Sequence, residues 1–324
     1  MNNSRSCAEH ISAVMRSYLA DLDFKVRHSD EPLGISTGFK NLDRKSEGFS
    51  AGEVILIGGR PAMGKTSFAV NLAYNMATNF HLQKQQNAAD DKCVVYITLE
   101  ASKKWMAKSL LSFMSSVPRY EIHNCQELLN IFEKLAEASR QIEELPLYLA
   151  DTDANIESIA AELQKIVRQQ QIGCVIIDYL QMFEDYSSAT EDYSEVVAEI
   201  KKLAAVYKVP IIVLTQLSRD IEKRADKTPL LCDIRGLNKH LNNADKVLFL
   251  YREAYYLWLC EPQKRKKETT EQYIRRYKDW EERCKKTKYS CDIIIARNNN
   301  GQCGRIKMFF DWGTGLFKDW QEND

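Results

Sequence analysis

Apolar and polar positions along the first two thirds of the chain follow two different rhythms. Five short apolar runs have the length and β-branched content of buried strands: EVILIGG, CVVYITL, LPLYLA, CVIIDYL and PIIVLTQ. The segments between them carry apolar residues at helical spacing, as in SKKWMAKSLLSFM and YSEVVAEIKKLAAVY. Continuous apolar strands that alternate with amphipathic helices are typical of a parallel sheet covered on both faces. We therefore expect an α/β fold with a mainly parallel central sheet and helices on both faces.

The last third of the chain changes character. KVLFLY, SCDIIIAR and RIKMFFD are predicted strands, and they lack intervening helices of the earlier kind. This pattern predicts a β-rich C-terminal edge of the same sheet.

The N-terminal segment, residues 1–30, is predicted to be a helix followed by a linker. Ser6 and Glu9 have the spacing of a capping box. One face of the predicted helix carries four apolar residues, Ile11, Met15, Tyr18 and Leu22. Such a stripe has to be buried, either against its own domain or against a neighbouring subunit. The remaining residues, 31–324, are expected to form one domain.

Composition narrows the class of protein only slightly. Lys+Arg and Asp+Glu both total 45, so a nucleic-acid surface has to be a local patch. The nine cysteines include no CxxC pair, which argues against a zinc site or a disulfide framework. The N-terminus lacks the pattern of a secretory signal, and no apolar run is long enough to span a membrane. We therefore expect a cytoplasmic protein without a membrane partner.

A basic insert is predicted at about residues 254–289. Residues 261–289 hold eleven Lys or Arg against six Asp or Glu, and Tyr273, Tyr277 and Trp280 follow helical spacing. Two interpretations remain open. The aromatic face packs on the edge of the sheet, or aromatic and basic residues together form a surface for nucleic acid or another partner.

A glycine loop follows the first apolar strand. Residues 59–66 read GRPAMGKT, a G-x-x-x-x-G-K-T pattern between a strand and a helix, which is the context of a phosphate-binding P-loop. Backbone N–H groups and the helix N-terminus would surround a phosphate, the Lys65 ammonium would neutralise it, and the Thr66 hydroxyl would bind Mg²⁺. The predicted ATP-binding residues are Gly59, Arg60, Pro61, Ala62, Met63, Gly64, Lys65, Thr66 and Ser67.

Three polar residues at strand ends are candidates for the chemistry. Asp178 ends a buried strand and is predicted to hold Mg²⁺, with helix capping as the alternative. Glu100 follows another strand and is predicted to orient the attacking water as a base, although it could instead stabilise the dipole of the next helix. Gln216 ends a third strand and could sense the γ-phosphate, or could be an ordinary polar residue.

These segments resemble the C-terminal motor domain of DnaB-type replicative DNA helicases over roughly residues 5–320. The resemblance rests on the P-loop stretch, YITLE, VIIDYLQM, VPIIVLTQLSRDIEKRADK and NNADKVLFLYRE. It implies a RecA-like P-loop NTPase fold and a homohexameric ring that uses ATP and Mg²⁺ to move on single-stranded DNA during replication. It supports the roles given to Lys65, Thr66, Glu100, Asp178 and Gln216. The family's N-terminal domain is expected to be missing, and a loader or replication partner is possible.

Two family motifs are changed in this chain. The DNA-contacting loop keeps Asp233 and Arg235, so Arg235 is the predicted DNA contact, with Lys239 as a second, unless Arg235 forms an ordinary ion pair. The family's late strand has a Lys and an arginine finger, whose places are taken here by Arg297 and Asn299. Arg297 is predicted to replace the finger; otherwise hydrolysis is slow.

These changes leave a second hypothesis open beside the helicase. It is an ATP-switched DNA-binding or scaffolding ring with weak motor activity. A recombinase-type RecA relative is a third possibility, but such a protein is not expected to contain DYLQM and RADK.

Overall fold

Helices and strands alternate through most of the chain, as the apolar pattern predicted. The computed structural model describes residues 10–27, 32–123, 125–183, 193–236 and 243–321. In these ranges the helices are α1 (Ile11–Arg27), α2 (Lys40–Ser46), α3 (Lys65–Gln86), α4 (Lys103–Ser115), α5 (Cys125–Glu143), α6 (Ile156–Val167), α7 (Ser194–Tyr207), α8 (Glu253–Leu259) and α9 (Thr270–Thr287). The strands are β1 (Val54–Gly59), β2 (Lys92–Thr98), β3 (Leu147–Asp151), β4 (Gln171–Asp178), β5 (Ile211–Gln216), β6 (Lys246–Tyr251), β7 (Ser290–Asn298), β8 (Gly304–Asp311) and β9 (Leu316–Asp319).

The described strands form a nine-stranded sheet in the order β3-β2-β4-β5-β1-β6-β7-β8-β9. From β3 to β6 all neighbours are parallel, and β7, β8 and β9 continue the sheet in antiparallel pairs. The prediction of a parallel sheet with a β-rich C-terminal edge is confirmed. Connections too short to hold a helix join β7 to β8 and β8 to β9, and short connections favour antiparallel neighbours.

The parallel strands are buried on both faces, which explains their continuous apolar sequences. In β1, Ile55 and Ile57 point into one core, which includes residues of α3, whereas Val54 and Leu56 point into the other, which includes residues of α7. Each fully buried aliphatic side chain of this size stabilises the fold by about 1.5–3 kcal/mol. A change to a polar residue in β1 would therefore damage one of the two cores.

The apolar stripe of α1 is exposed within the chain. Ile11, Met15, Tyr18 and Leu22 have exposed fractions of 64%, 47%, 58% and 38%. The prediction that this stripe packs against its own domain is therefore wrong for these side chains. The predicted capping pair Ser6 and Glu9 lies outside the described residues. Among the described helices, none has the length and apolar character needed to cross a bilayer.

The insert forms two helices, α8 and α9. The predicted helix with an aromatic face is confirmed, but the face packs mainly against α8 rather than against the sheet edge. Helix α5 was not predicted from the sequence, although its apolar residues follow helical spacing.

Candidate active site

The polar residues at the strand ends meet at one edge of the sheet. Gly59 at the end of β1 pairs in register with Gln216 at the end of β5, and Thr98 at the end of β2 pairs with Asp178 at the end of β4. Parallel strands bring their carboxyl ends to the same edge, where α/β proteins commonly bind ligands. We call this side of the sheet the nucleotide edge.

The P-loop connects β1 to α3 in a conformation that requires its second glycine. Gly64 is the N-cap of α3 with φ of 91°, and a Cβ at this position would lie 3.0 Å from the Phe310 ring. The Lys65 ammonium donates hydrogen bonds to the Gly59 and Arg60 carbonyls, at 2.8 and 3.3 Å. Burial lowers the pKa of Lys65 to about 8, and the charge of Asp178 opposes this shift.

Asp178 lies beside the P-loop and is almost fully buried. Burial raises the pKa of its carboxyl above the usual range, while hydrogen bonds from Tyr96 and Thr66 and the charge of Lys65 act in the opposite direction. The Tyr96 hydroxyl donates to Asp178 Oδ2 over 2.9 Å. A carboxylate and a hydroxyl are oxygen ligands of the kind that Mg²⁺ binds beside nucleotide phosphates, so Thr66 and Asp178 fit the predicted metal site.

Glu100 lies on the solvent side of the same site. It is exposed, follows β2 by two residues, and its charge acts on Lys65, Asp178 and Tyr179. Helix α4 begins only after Ser102, whose hydroxyl caps it by accepting from the Trp105 N–H at 3.3 Å. Glu100 therefore lies outside the first turn of α4, where the helix dipole acts most strongly. This position favours an interaction with a ligand over an interaction with the helix.

A residue that the sequence reading did not single out holds the end of β5. The Gln181 side chain accepts a hydrogen bond from the Gln216 N–H at 3.0 Å and donates one to the Thr215 hydroxyl at 2.8 Å. Gln181 is the last residue of the Asp-Tyr-Leu-Gln motif. Its presence three residues after Asp178 was the only signal available in the sequence.

Two P-loop side chains, Arg60 and Met63, contact protein rather than the open face of the site. Arg60 forms an ion pair with Glu222 at 3.0 Å and donates to the Leu217 carbonyl at 2.9 Å. The buried Arg252 donates to the Ala62 carbonyl at 2.9 Å, and Met63 is also buried. Arg60 and Arg252 therefore fix the shape of the loop from its outer side.

Arg297 does not join this group. It pairs with Val247 of β6, whereas Asp292 at the start of β7 pairs with Tyr251 near the P-loop. Because β7 runs antiparallel to β6, Arg297 lies toward the side of the sheet where the parallel strands begin. We call this side the opposite edge. Its Nε donates to the Asn299 side chain at 3.2 Å, and the Asn299 N–H donates to the Asp245 carbonyl at 3.0 Å.

The predicted DNA loop is only partly described. Asp233 is buried and binds Arg224 through two hydrogen bonds, at 2.8 and 3.1 Å, so this acid is structural. Arg235 is exposed two residues later. Lys239 lies outside the described residues.

A mainly parallel sheet with a P-loop after a central strand and an acid at the end of a nearby strand defines a P-loop NTPase of the RecA-like class. Within that class, the family model for the DnaB-like helicase C terminal domain matches residues 34–319. The chain belongs to this family.

Known proteins are similar to this chain over most of its length. The replicative DNA helicase DnaB of Rickettsia typhi is 32% identical over 297 residues, which cover 90% of this chain and 58% of that protein. A DnaB-like replicative helicase, described with its interactions with primase, superimposes with a TM-score of 0.74 at 27% identity, covering 99% of this chain and 69% of the other. A solved ATPase domain gives a TM-score of 0.77 at 26% identity, covering 97% of this chain and all of that domain. The chain thus spans less than two thirds of the length of the curated relative.

Proposed function

We propose that this chain is the motor of an ATP-dependent DNA helicase or translocase that acts on single-stranded DNA during replication in the cytoplasm. The observation that carries the proposal is the convergence of Lys65, Asp178, Glu100 and Gln216 at the nucleotide edge. Membership in a helicase family adds the substrate class.

Each residue at the nucleotide edge has a chemical role in this proposal. The P-loop N–H groups and Lys65 bind the β- and γ-phosphates of ATP, and Thr66 and Asp178 hold Mg²⁺, which would neutralise developing negative charge. Glu100 accepts a proton from the attacking water and orients it. Gln216 contacts the γ-phosphate and transmits its presence toward the DNA-binding loop, because the next residue, Leu217, pairs with Ile234 of that loop.

The second half of the site comes from another copy of the chain. Arg297 lies toward the opposite edge, so it would reach the ATP of a neighbouring subunit in a ring, for which a hexamer is the family precedent. The exposed stripe of α1 offers apolar surface for the same assembly. Arg235 and Lys239 would contact the phosphates of single-stranded DNA.

One observation favours the alternative of an ATP-switched ring with weak motor activity. Asn299, at the family's finger position, is hydrogen-bonded to Asp245 and Arg297 and carries no positive charge. The variant Asn299→Arg separates the two functions. A large rise in turnover would indicate a naturally slow switch, and an unchanged rate would indicate that Arg297 already supplies the charge.

The test of the main proposal is ATP hydrolysis with and without single-stranded DNA, with Lys65→Ala as the blank. We expect hydrolysis that rises with DNA and a DNA affinity that falls with salt. Slow turnover that is indifferent to DNA would contradict the motor and support the switch.

A further inference from the structure

The insert between β6 and β7 uses its aromatic residues for its own packing. The rings of Tyr277 and Trp280 lie 5.2 Å apart, and the Trp280 N–H donates to the Leu257 carbonyl of α8 at 2.8 Å. Tyr277 donates to Glu261 over 3.3 Å. These rings hold α9 against α8, so they are not a free platform for stacking bases.

The same packing fixes the loop that joins the two helices. Arg276 of α9 donates to both oxygens of Glu268, at 2.9 and 2.8 Å, and to the Gln263 carbonyl at 2.8 Å. Glu268 in turn accepts from the Arg265 N–H at 3.0 Å. The loop is thus held at both ends, and it presents residues 264–267, Lys-Arg-Lys-Lys, to solvent. We call residues 264–267 the basic loop.

The cations of the insert divide into two groups. Toward the C-terminal end of α9, Lys285 pairs with Glu281 at 2.9 Å and Lys286 pairs with Glu282 at 2.6 Å. In contrast, seven exposed cations form no ion pair with any described residue, namely Lys264, Arg265, Lys266, Lys267, Arg275, Lys278 and Lys288. All of them except Lys288 lie on the basic loop or on the half of α9 next to it. Arg275 and Lys278 are three residues apart, so they are neighbours on one side of α9. The excess positive charge therefore lies on the basic loop and the adjoining half of the helix.

The insert is attached at the nucleotide edge. Helix α8 begins two residues after β6 ends, and the intervening Arg252 donates to the Ala62 carbonyl of the P-loop. The Tyr256 hydroxyl donates to Glu222 over 3.3 Å, and Glu222 is the ion-pair partner of Arg60. The start of the insert therefore contacts the P-loop directly through Arg252 and indirectly through Glu222.

We propose that the basic loop, together with Arg275 and Lys278, is an additional contact for the phosphate backbone of nucleic acid, separate from Arg235. This inference rests on the proposed function, since it assumes that the protein acts on DNA. The chain as a whole has no net charge, yet this segment carries exposed, uncompensated cations on a fixed scaffold. Lysine and arginine side chains in such a cluster suit phosphate contacts that do not depend on base sequence.

The test compares two double variants with the same change of charge on the same insert. Lys266→Gln with Lys267→Gln removes unpaired cations, and Lys285→Gln with Lys286→Gln removes paired ones. The affinity for fluorescein-labelled oligo(dT) is measured by anisotropy over a range of salt concentrations, with a non-hydrolysable ATP analogue present. A blunt duplex of random sequence is the second probe and distinguishes single-stranded from double-stranded DNA as the source of the phosphates.

We expect the loop variant to lower the slope of log affinity against log salt by about 1.4, because each single-strand phosphate contact contributes about 0.7. At 0.1 M salt this corresponds to roughly 25-fold weaker binding. The paired-lysine variant should leave the slope unchanged.

Equal effects of the two variants, or no effect of either, would overturn the inference. If the wild-type protein still binds DNA and hydrolyses ATP faster with it, the proposed function would survive that result, and an acidic protein segment would become the better partner for the loop. If the wild-type protein neither binds DNA nor hydrolyses ATP faster with it, the proposed function is wrong, and the inference that rests on it is wrong as well.

Discussion

The two edges of the sheet are built from different kinds of residue. At the nucleotide edge, the start of α3 and two strand ends bring Lys65, Asp178 and Gln216 together. The Lys65 ammonium bonds to the Gly59 carbonyl, its charge acts on Asp178, and Gln216 pairs with Gly59. At the opposite edge, Arg297 lies beside a turn held by buried charge. Asn299 bonds to Asp245, and the Asn300 side chain donates to Glu53 at 3.0 Å.

Under the proposed function, one chain holds only part of a working site. Arg297 pairs with Val247, which pairs with Leu56, three residues before the end of β1 and two strands away. At roughly 3.3 Å per residue and about 4.8 Å between strands, the Arg297 backbone lies roughly 14 Å from Gly59, which is farther than an arginine side chain can reach. A nucleotide bound at Lys65 would therefore meet Arg297 only from a second copy of the chain. Four measurements test this difference between the two edges.

The largest expected effect follows from Arg297→Ala. Loss of an arginine finger lowers hydrolysis by about 10³- to 10⁵-fold, because charge in the transition state is no longer neutralised. Steady-state ATP hydrolysis measures the loss. If Arg297 acts on a neighbouring subunit, co-assembly of Arg297→Ala with Lys65→Ala should restore part of the activity, because some interfaces then contain both intact groups. Full activity of Arg297→Ala alone would remove this residue from the mechanism.

Glu100→Gln should lower hydrolysis by about 10²- to 10⁴-fold, the usual contribution of a general base. Nucleotide binding should be retained, because the P-loop and Asp178 are unchanged. Single-turnover hydrolysis and equilibrium binding of a fluorescent ATP analogue distinguish the two steps. Glu157→Gln, an exposed change in the first turn of α6, is the matched control and should leave both steps unaltered.

At the opposite edge, we expect a substitution to lower the stability of the fold. Lys246 and Glu53 form an ion pair in which the side chains are 1% and 6% exposed. Lys246→Met leaves Glu53 as a buried, unpaired charge and should lower the free energy of unfolding by about 3–5 kcal/mol, measured with urea. The double variant Glu53→Gln with Lys246→Met should recover most of this loss.

A surface pair provides the control for that measurement. Lys285→Met breaks the exposed pair with Glu281, and pairs of this kind contribute at most about 1 kcal/mol. A similar loss for Lys246→Met and Lys285→Met would show that the buried pair does not stabilise the opposite edge.

The smallest effect is expected from Tyr96→Phe. This change removes the hydroxyl that donates to Asp178, and loss of such a supporting hydrogen bond weakens metal sites by about 10- to 100-fold. The Mg²⁺ concentration needed for half-maximal nucleotide binding should rise accordingly. Tyr148→Phe also removes a hydroxyl, one that bonds to Gln170 at 3.0 Å, and should leave the Mg²⁺ requirement unchanged. Equal Mg²⁺ requirements for both variants would show that Tyr96 has only a packing role.

Local patterns in the sequence are sufficient to predict the P-loop and most of the helices and strands around it. The conformation of residues 59–66 can be predicted from the sequence, because the glycines, Lys65 and Thr66 are close together in the chain and lie between a strand and a helix. The strands could be read because burial on both faces leaves a continuous apolar pattern. Family resemblance then supported the roles predicted for Glu100 and Gln216 from their positions at strand ends.

Which of these elements are neighbours depends on the order of the strands in the folded sheet. Tyr96 meets Asp178, and Gln181 meets Gln216, only because β2, β4 and β5 adjoin one another, an order that no local pattern encodes. The location of Arg297 on the opposite edge follows from the antiparallel direction of β7, and the packing of Trp280 on α8 settles what the aromatic face of the insert covers. The periodicity of apolar residues indicates which residues are buried, because it can be seen within a single segment. A contact between distant segments depends instead on how all the strands and helices are arranged.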